Sequence, residues 1–174
     1  VDDFEVIICD DGSSEDARAR ISALCEDLGL RWKYAYHAAA GFQKTIVLNK
    51  GVSHATGEQL VFLDGDCVPH RHFVKYHCAL LKPGAYLAGR RVMLGGDISA
   101  RLIEEPQNAQ ALSFPSVLGH AARVEEALIL PAAVRRLIGV GRLSGCNWSC
   151  WKADLEAING FNNEARGPVG GEDT

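Results

Sequence analysis

Two aspartates, Asp64 and Asp66, stand one glycine apart directly after the apolar run Leu60, Val61, Phe62 and Leu63. Carboxylates placed that close repel each other, so the arrangement is costly unless a cation is shared between them. A hard divalent ion with oxygen ligands, magnesium or manganese, would offset that cost and would usually touch substrate phosphates as well. The same spacing also suits a polar strand-to-helix turn in which the aspartates cap a following helix, and the triplet alone does not choose between the two. A second acidic pair, Asp10 and Asp11, closes the stretch "FEVIICDDGSS", and a third acidic group stands in "GGEDT" at 170–174.

The elements that must position these residues follow from pattern. Phe4 to Cys9 is a short apolar run of β-formers bounded by a turn, which suits a buried strand. Ser13 or Ser14 then offers an N-cap for a helix carrying Ala17, Ile21, Leu24 and Leu28, with Gly29 as its C-cap. "RWKYAY" is a second strand, Lys44 to Ala55 a second helix, "QLVFLD" a third strand, and Pro69 to Leu81 a third helix. Strand and helix in alternation predict an α/β fold, a mostly parallel sheet flanked by helices and joined by right-handed crossovers. Ligands of such sheets bind at the carboxyl ends of the strands. Asp10, Asp11, Asp64 and Asp66 all fall there, and Leu60 to Leu63 becomes a central strand covered on both faces.

Composition narrows the function classes. The chain has 174 residues, 47% of them hydrophobic, and a formal net charge of -4, which is enough for one sizeable core and supplies no electrostatic case for nucleic acid. No apolar run approaches the roughly 20 residues of a membrane-spanning helix. The six cysteines (Cys9, Cys25, Cys67, Cys78, Cys146, Cys150) are scattered rather than framed by short loops, which points to reduced thiols in a cytoplasmic protein. Cys146 and Cys150 lack a second pair at zinc-site spacing and read as small buried apolar residues. The first strand begins at once and the chain stops on an acidic cluster, so the chain reads as a fragment of a domain, short of its first strand and its C-terminal end.

Five stretches occur in order: "CDDGSS", "GFQKTIVLNKGVSHATGE", "FLDGDCVPH", "GCNWSCWKADLEAINGFN" and "GGEDT". Together they resemble the inverting family-2 glycosyltransferases of the GT-A fold, in particular bacterial members with a galactosyltransferase-like C-terminal segment. The likeness spans nearly the whole chain and is weakest between Glu104 and Arg142. It implies a single domain over 1–174, with a nucleotide-sugar-binding half at 1–100 and an acceptor-side half at 101–174. It also implies site residues. Asp11 would lie beside the uracil and ribose of a UDP-sugar, where the imide N–H and hydroxyls need an acceptor, with Asp10 shaping the pocket. Lys44 would stand near the nucleotide, because Leu48 occupies the position where many relatives place an arginine, and Asn49 shares its helix. Asp66 would be the direct ligand of Mn2+ or Mg2+, Asp64 would contact ribose or donor sugar, and Gly65 would let the backbone approach the nucleotide. Asn147 would hydrogen-bond the donor sugar. Asp173 would act as the base that deprotonates the acceptor hydroxyl, Glu172 would bind acceptor hydroxyls, and Gly171 would allow close approach of the sugar.

Each of these has a plainer reading: Asp10 as an Asx-type turn, Lys44 as a solvated helix lysine, "GGEDT" as an acidic helix start, His70 and His72 as surface residues. Of Trp148 and Trp151, the second reads as core. The implied donor sugar is galactose or an N-acetylhexosamine, and the implied acceptor is a saccharide or lipid-linked saccharide. Residues 104–139 suggest one or two amphipathic helices broken at Pro115 and Pro131, serving as an acceptor-side loop, a peripheral contact with the inner face of a membrane, or a helical lid. Two competing functions are a haloacid-dehalogenase-like phosphatase with Asp64 as nucleophile and a non-catalytic nucleotide-sugar-binding module.

Overall fold

The structure is a computed structural model, and it describes residues 3–38, 41–112, 119–122 and 145–164. In chain order the elements are β1 (Val6–Asp10), α1 (Glu15–Asp27), β2 (Trp32–Tyr36), α2 (Lys44–His54), β3 (Gln59–Leu63), α3 (Phe73–Leu80), β4 (Leu87–Ala88), β5 (Met93–Leu94), α4 (Gly96–Glu104), a 3-10 helix (Pro106–Ala111), β6 (Ala121–Ala122), β7 (Asn147–Trp151) and α5 (Lys152–Ala157). The described residues fall into two compact units. One takes residues from 1–60, 81–86 and 149–174, the other from 61–80 and 87–148.

The first unit starts from a parallel pair, β1 with β2, in the register Val6↔Trp32 through Asp10↔Tyr36. Parallel strands need a crossover, and α1 supplies it with both ends locally encoded. Ser14 is the N-cap, its side chain accepting from the Ala17 N–H at 3.3 Å. At the other end Gly29 takes φ +61, while the Gly29 N–H bonds Glu26 O and the Leu30 N–H bonds Cys25 O. Those two bonds form the Schellman stop, which favours glycine because a Cβ is penalised in that conformation. Helix α2 packs on β1 through Gly51, where an added Cβ would collide with Cys9 Sγ. Around that contact Ala35, Val47, Val52, Ala55 and Leu60 are buried. Burying a side chain such as Val47 contributes about 1.5–3 kcal/mol. The unit is closed by Asn49 on α2, whose Nδ2 donates to Phe161 O at 2.8 Å and whose Oδ1 accepts the Phe161 N–H at 2.9 Å.

In the second unit Phe62 stacks on buried Trp148 with ring centroids 4.4 Å apart. Strands β5 and β6 pair antiparallel, Met93↔Ala122 and Leu94↔Ala121, and α4 buries Ile98 beside them.

The strand order β3-β7-β4 corrects the expectation of a mostly parallel sheet. The Lys152 N–H bonds Glu58 O at 2.8 Å and the Asp64 N–H bonds Cys146 O at 3.2 Å, so β3 and β7 run antiparallel. Among the described strands with a stated register, the parallel pair is β1–β2. The physical reason is that an antiparallel neighbour needs no crossover helix and can come from far along the chain, so local alternation of strand and helix does not report it. Two smaller corrections follow. Leu63, expected inside, is 38% exposed, while Leu60 is buried and Val61 and Phe62 are half-buried. Helix α3 begins at Phe73 rather than at Pro69, after a turn in which the Phe73 N–H bonds His70 O.

Candidate functional site

The turn after β1 carries the first acidic pair. Asp10, the last residue of the strand, is 6% exposed; its Oδ2 accepts from Tyr34 OH at 2.6 Å and its Oδ1 from the Ser13 N–H at 2.8 Å. Tyr34 stands two residues before Tyr36, the register partner of Asp10, and therefore shares a sheet face with it. Burial pushes the Asp10 carboxyl up, but hydrogen bonds from Tyr34, Ser13 and Gly12 outweigh it and hold the group below the ordinary aspartate range. The Tyr34 phenol moves the other way, to about 12, through burial and the adjacent carboxylate. Asp10 thus holds the turn together, and the Asx-type reading of this residue describes its contacts. Asp11 is half-buried. Its Oδ2 accepts from the Gln43 N–H at 2.9 Å, at the N-terminus of α2, and its Oδ1 lies 2.7 Å from His37 Nε2. A carboxylate at a helix N-terminus is favoured by the unpaired N–H groups there. Lys44 is the half-buried first residue of the same helix, and Asn49 spends both ends of its amide on the 161–163 turn, with a further bond to Asn163 at 2.7 Å.

The turn after β3 carries the second acidic pair, in the other unit. Asp64 is half-buried and its carbonyl accepts the Cys67 N–H at 3.0 Å, which folds the "DGDC" turn back on itself. Gly65 and Asp66 are exposed, and a Cβ built on Gly65 meets no atom within 4 Å. The polar neighbour of Asp66 is the Cys67 thiol, 3.6 Å from Oδ1. Burial, followed by nearby charge, pushes that thiol to about 11, so Cys67 is protonated and not a nucleophile at neutral pH. In the same unit Asn147 on β7 accepts the His77 Nε2–H at 2.9 Å and donates to Arg90 O at 2.9 Å. Gly89 makes room for it, since a Cβ there would collide with the Asn147 side chain.

Among the described residues no three His, Cys, Asp or Glu side chains gather into a metal-holding group. The donor set on the β3 turn nevertheless fits a hard cation of the magnesium or manganese kind. Such ions keep several waters and bind through one or two carboxylates plus substrate phosphates. Exposed Asp66 beside an open Gly65 backbone offers one carboxylate and the space for the rest. Gly171, Glu172 and Asp173 lie outside the described residues, as do Pro115, Pro131 and most of 104–139.

Tertiary structure adds residues that pattern reading passed over. Tyr34 and His37 grip the first acidic pair, and Arg91 is a cation held above its ordinary range first by Cys146, then through neighbours that include Cys67 and Asp64. Register could have exposed Tyr34; nothing local marks His37 or Arg91. Trp148 is buried, 7% exposed, and Trp151, expected in the core, is half-buried. Cys146 and Cys150 are buried as expected, and all six cysteines are free thiols. No described helix is long and apolar enough to cross a membrane.

Taken separately, the first turn offers hydrogen-bond acceptors for a polar heterocycle or sugar, and the second a carboxylate for a hard cation. Comparison with known proteins gives that chemistry a family. No curated protein matches the chain. The model for glycosyl transferase family 2 matches residues 1–107, which is more than half of the sequence and includes both acidic turns; the chain belongs to that family.

Proposed function

We propose that this glycosyltransferase moves a hexose or N-acetylhexosamine from a UDP-sugar to a hydroxyl of a saccharide or lipid-linked saccharide, with inversion and with a divalent metal, in the extension of a bacterial surface glycan or similar acceptor. The observation that carries the reading is the family match over 1–107, in which Asp11, Asp64, Gly65 and Asp66 fall at strand ends. The match also withdraws support from the phosphatase reading of Asp64. In this reading 1–100 is the donor-binding half and 101–174 the acceptor-side half.

In this reading Asp11 accepts from the imide N–H or ribose hydroxyls of the nucleotide. Lys44 stands near the nucleotide, and Asp64 receives ribose or sugar hydroxyls. Gly65 leaves the backbone open to the diphosphate. Asn49 and Asn147 contribute by holding the 161–163 turn and the His77–Arg90 region in place. Asp66 would hold magnesium or manganese, which when bound supplies Lewis-acid stabilisation to the charge that develops on the departing diphosphate. Asp173 takes the proton of the acceptor hydroxyl as that oxygen attacks the anomeric carbon, while Gly171 and Glu172 receive the acceptor sugar.

Calorimetric titration of UDP with and without manganese, on the native protein and on Asp66→Ala, tests this. Binding that depends on the metal and weakens at least about tenfold in the variant is the expected result. A folded native protein that takes up no UDP in either condition overturns the proposal.

A further inference from the structure

We propose that His37 is the positioning residue for Asp11: a proton on its Nε2 holds the Asp11 carboxylate in place, and nucleotide affinity falls as that proton is lost. The proposal rests on the reading of Asp11 as an acceptor for UDP. It starts from the backbone. The His37 N–H reaches Asp10 O at 3.4 Å, continuing the β1–β2 ladder by one step and setting the ring beside the acidic turn.

Both ring nitrogens then face oxygens that can only accept. Nδ1 lies 2.8 Å from the Ala38 carbonyl oxygen in a well-directed hydrogen bond, and Nε2 lies 2.7 Å from Asp11 Oδ1. The second contact is close but bent, and neither Asp11 Oδ1 nor His37 Nε2, both buried, has a well-directed hydrogen bond. A neutral imidazole has a single N–H. With that hydrogen on Nδ1, Nε2 would turn a lone pair towards an anionic oxygen at contact distance. The doubly protonated ring instead donates to the Ala38 oxygen and sets a positive charge, with a bent N–H, against the carboxylate. Among the described residues the Asp11 carboxylate is the charged group within ion-pair distance of the ring. Asp10, the adjacent carboxylate, is turned to Tyr34 and Ser13. Because Oδ2 of Asp11 is already held by the Gln43 N–H, the ring and the α2 N-terminus fix the two oxygens separately. Loss of the Nε2 proton converts one of those two grips into a repulsion.

Two measurements decide the matter. The first is UDP affinity between about pH 5.5 and 8.5 for the native protein, His37→Gln and His37→Ala. The native affinity is expected to fall about tenfold across the window. His37→Gln, whose amide donates at every pH, should stay within about threefold of the best native value and lose the pH dependence. His37→Ala should be weak throughout. A native pH profile retained in either variant overturns the proposal. The second measurement uses the ligand-free native protein and needs neither UDP nor a variant: nitrogen NMR of the ring at alkaline pH. The remaining proton is expected on Nδ1, and finding it on Nε2 overturns the proposal. If UDP fails to bind at any pH, the functional reading fails, and the ring tautomer still decides the role of His37.

Discussion

The turn after β1 and the turn after β3 each present two carboxylates at the end of a strand, and the protein treats them in opposite ways. In the first, Asp10 is buried and engaged by Tyr34 and Ser13, and Asp11 by Gln43 and His37. In the second, Asp66 is exposed beside a glycine with open space above it, and its polar neighbour is a weakly donating thiol. The first turn is an acceptor surface organised by the protein's own donors. The second leaves the Asp66 carboxylate open to solvent. Fixed hydrogen-bond geometry suits recognition of a heterocycle, and oxygens that can close around an ion suit a hard cation.

Removing a carboxylate from each turn is the sharpest way to break this contrast. Asp10→Ala orphans the half-buried Tyr34 hydroxyl and returns the exposed Ser13 N–H to water, and should lower unfolding stability by about 1–2 kcal/mol. Asp66→Ala should stay within about 0.5 kcal/mol of the native protein. Denaturant unfolding of the two variants measures both, and equal losses would erase the distinction.

A smaller effect lies in acid. Glu5, near the start of β1, accepts from the Thr56 N–H and hydroxyl and pairs with Lys33 at 2.8 Å, so that the hydrogen bonds, chiefly from Lys33, bring its carboxyl down to about 2. Glu5 and Asp10 both ionise more readily in the folded than in the unfolded chain. Their contribution is therefore complete above the ordinary carboxylate range and is lost as pH falls, for Glu5 down through about 2. Glu5→Gln should cost about 1 kcal/mol at neutral pH and flatten the dependence of the unfolding midpoint on acid. An unchanged acid slope in Glu5→Gln would remove Glu5 from the account.

The smallest stability effect belongs to Gly65→Ala. The glycine is not in a left-handed conformation and its added Cβ meets nothing, so stability should stay within about 0.5 kcal/mol while UDP affinity drops about tenfold. Native affinity in this variant would mean that the open space over Gly65 is not used by the nucleotide.

What could be read from the residues was local. Ser14 and Gly29 bound α1 because capping and left-handed stops depend on a few neighbouring atoms, and the short β-rich runs became β1, β2 and β3 within two residues of their expected limits. The acidic strand ends were legible for the same reason, since a strand delivers its last residue wherever it goes. Only the tertiary structure decided who meets whom. It paired β3 with β7 against the expected parallel neighbour and committed the amides of Asn49 and Asn147 to Phe161, His77 and Arg90. It also set His37 against Asp11, though they stand 26 positions apart in the chain. Hydrogen-bond partnership between distant residues is selected by the packing of whole elements, which leaves no periodic mark on the chain. Residue types and spacing therefore name the carboxylates that can do chemistry, and packing determines which donors of the protein reach them.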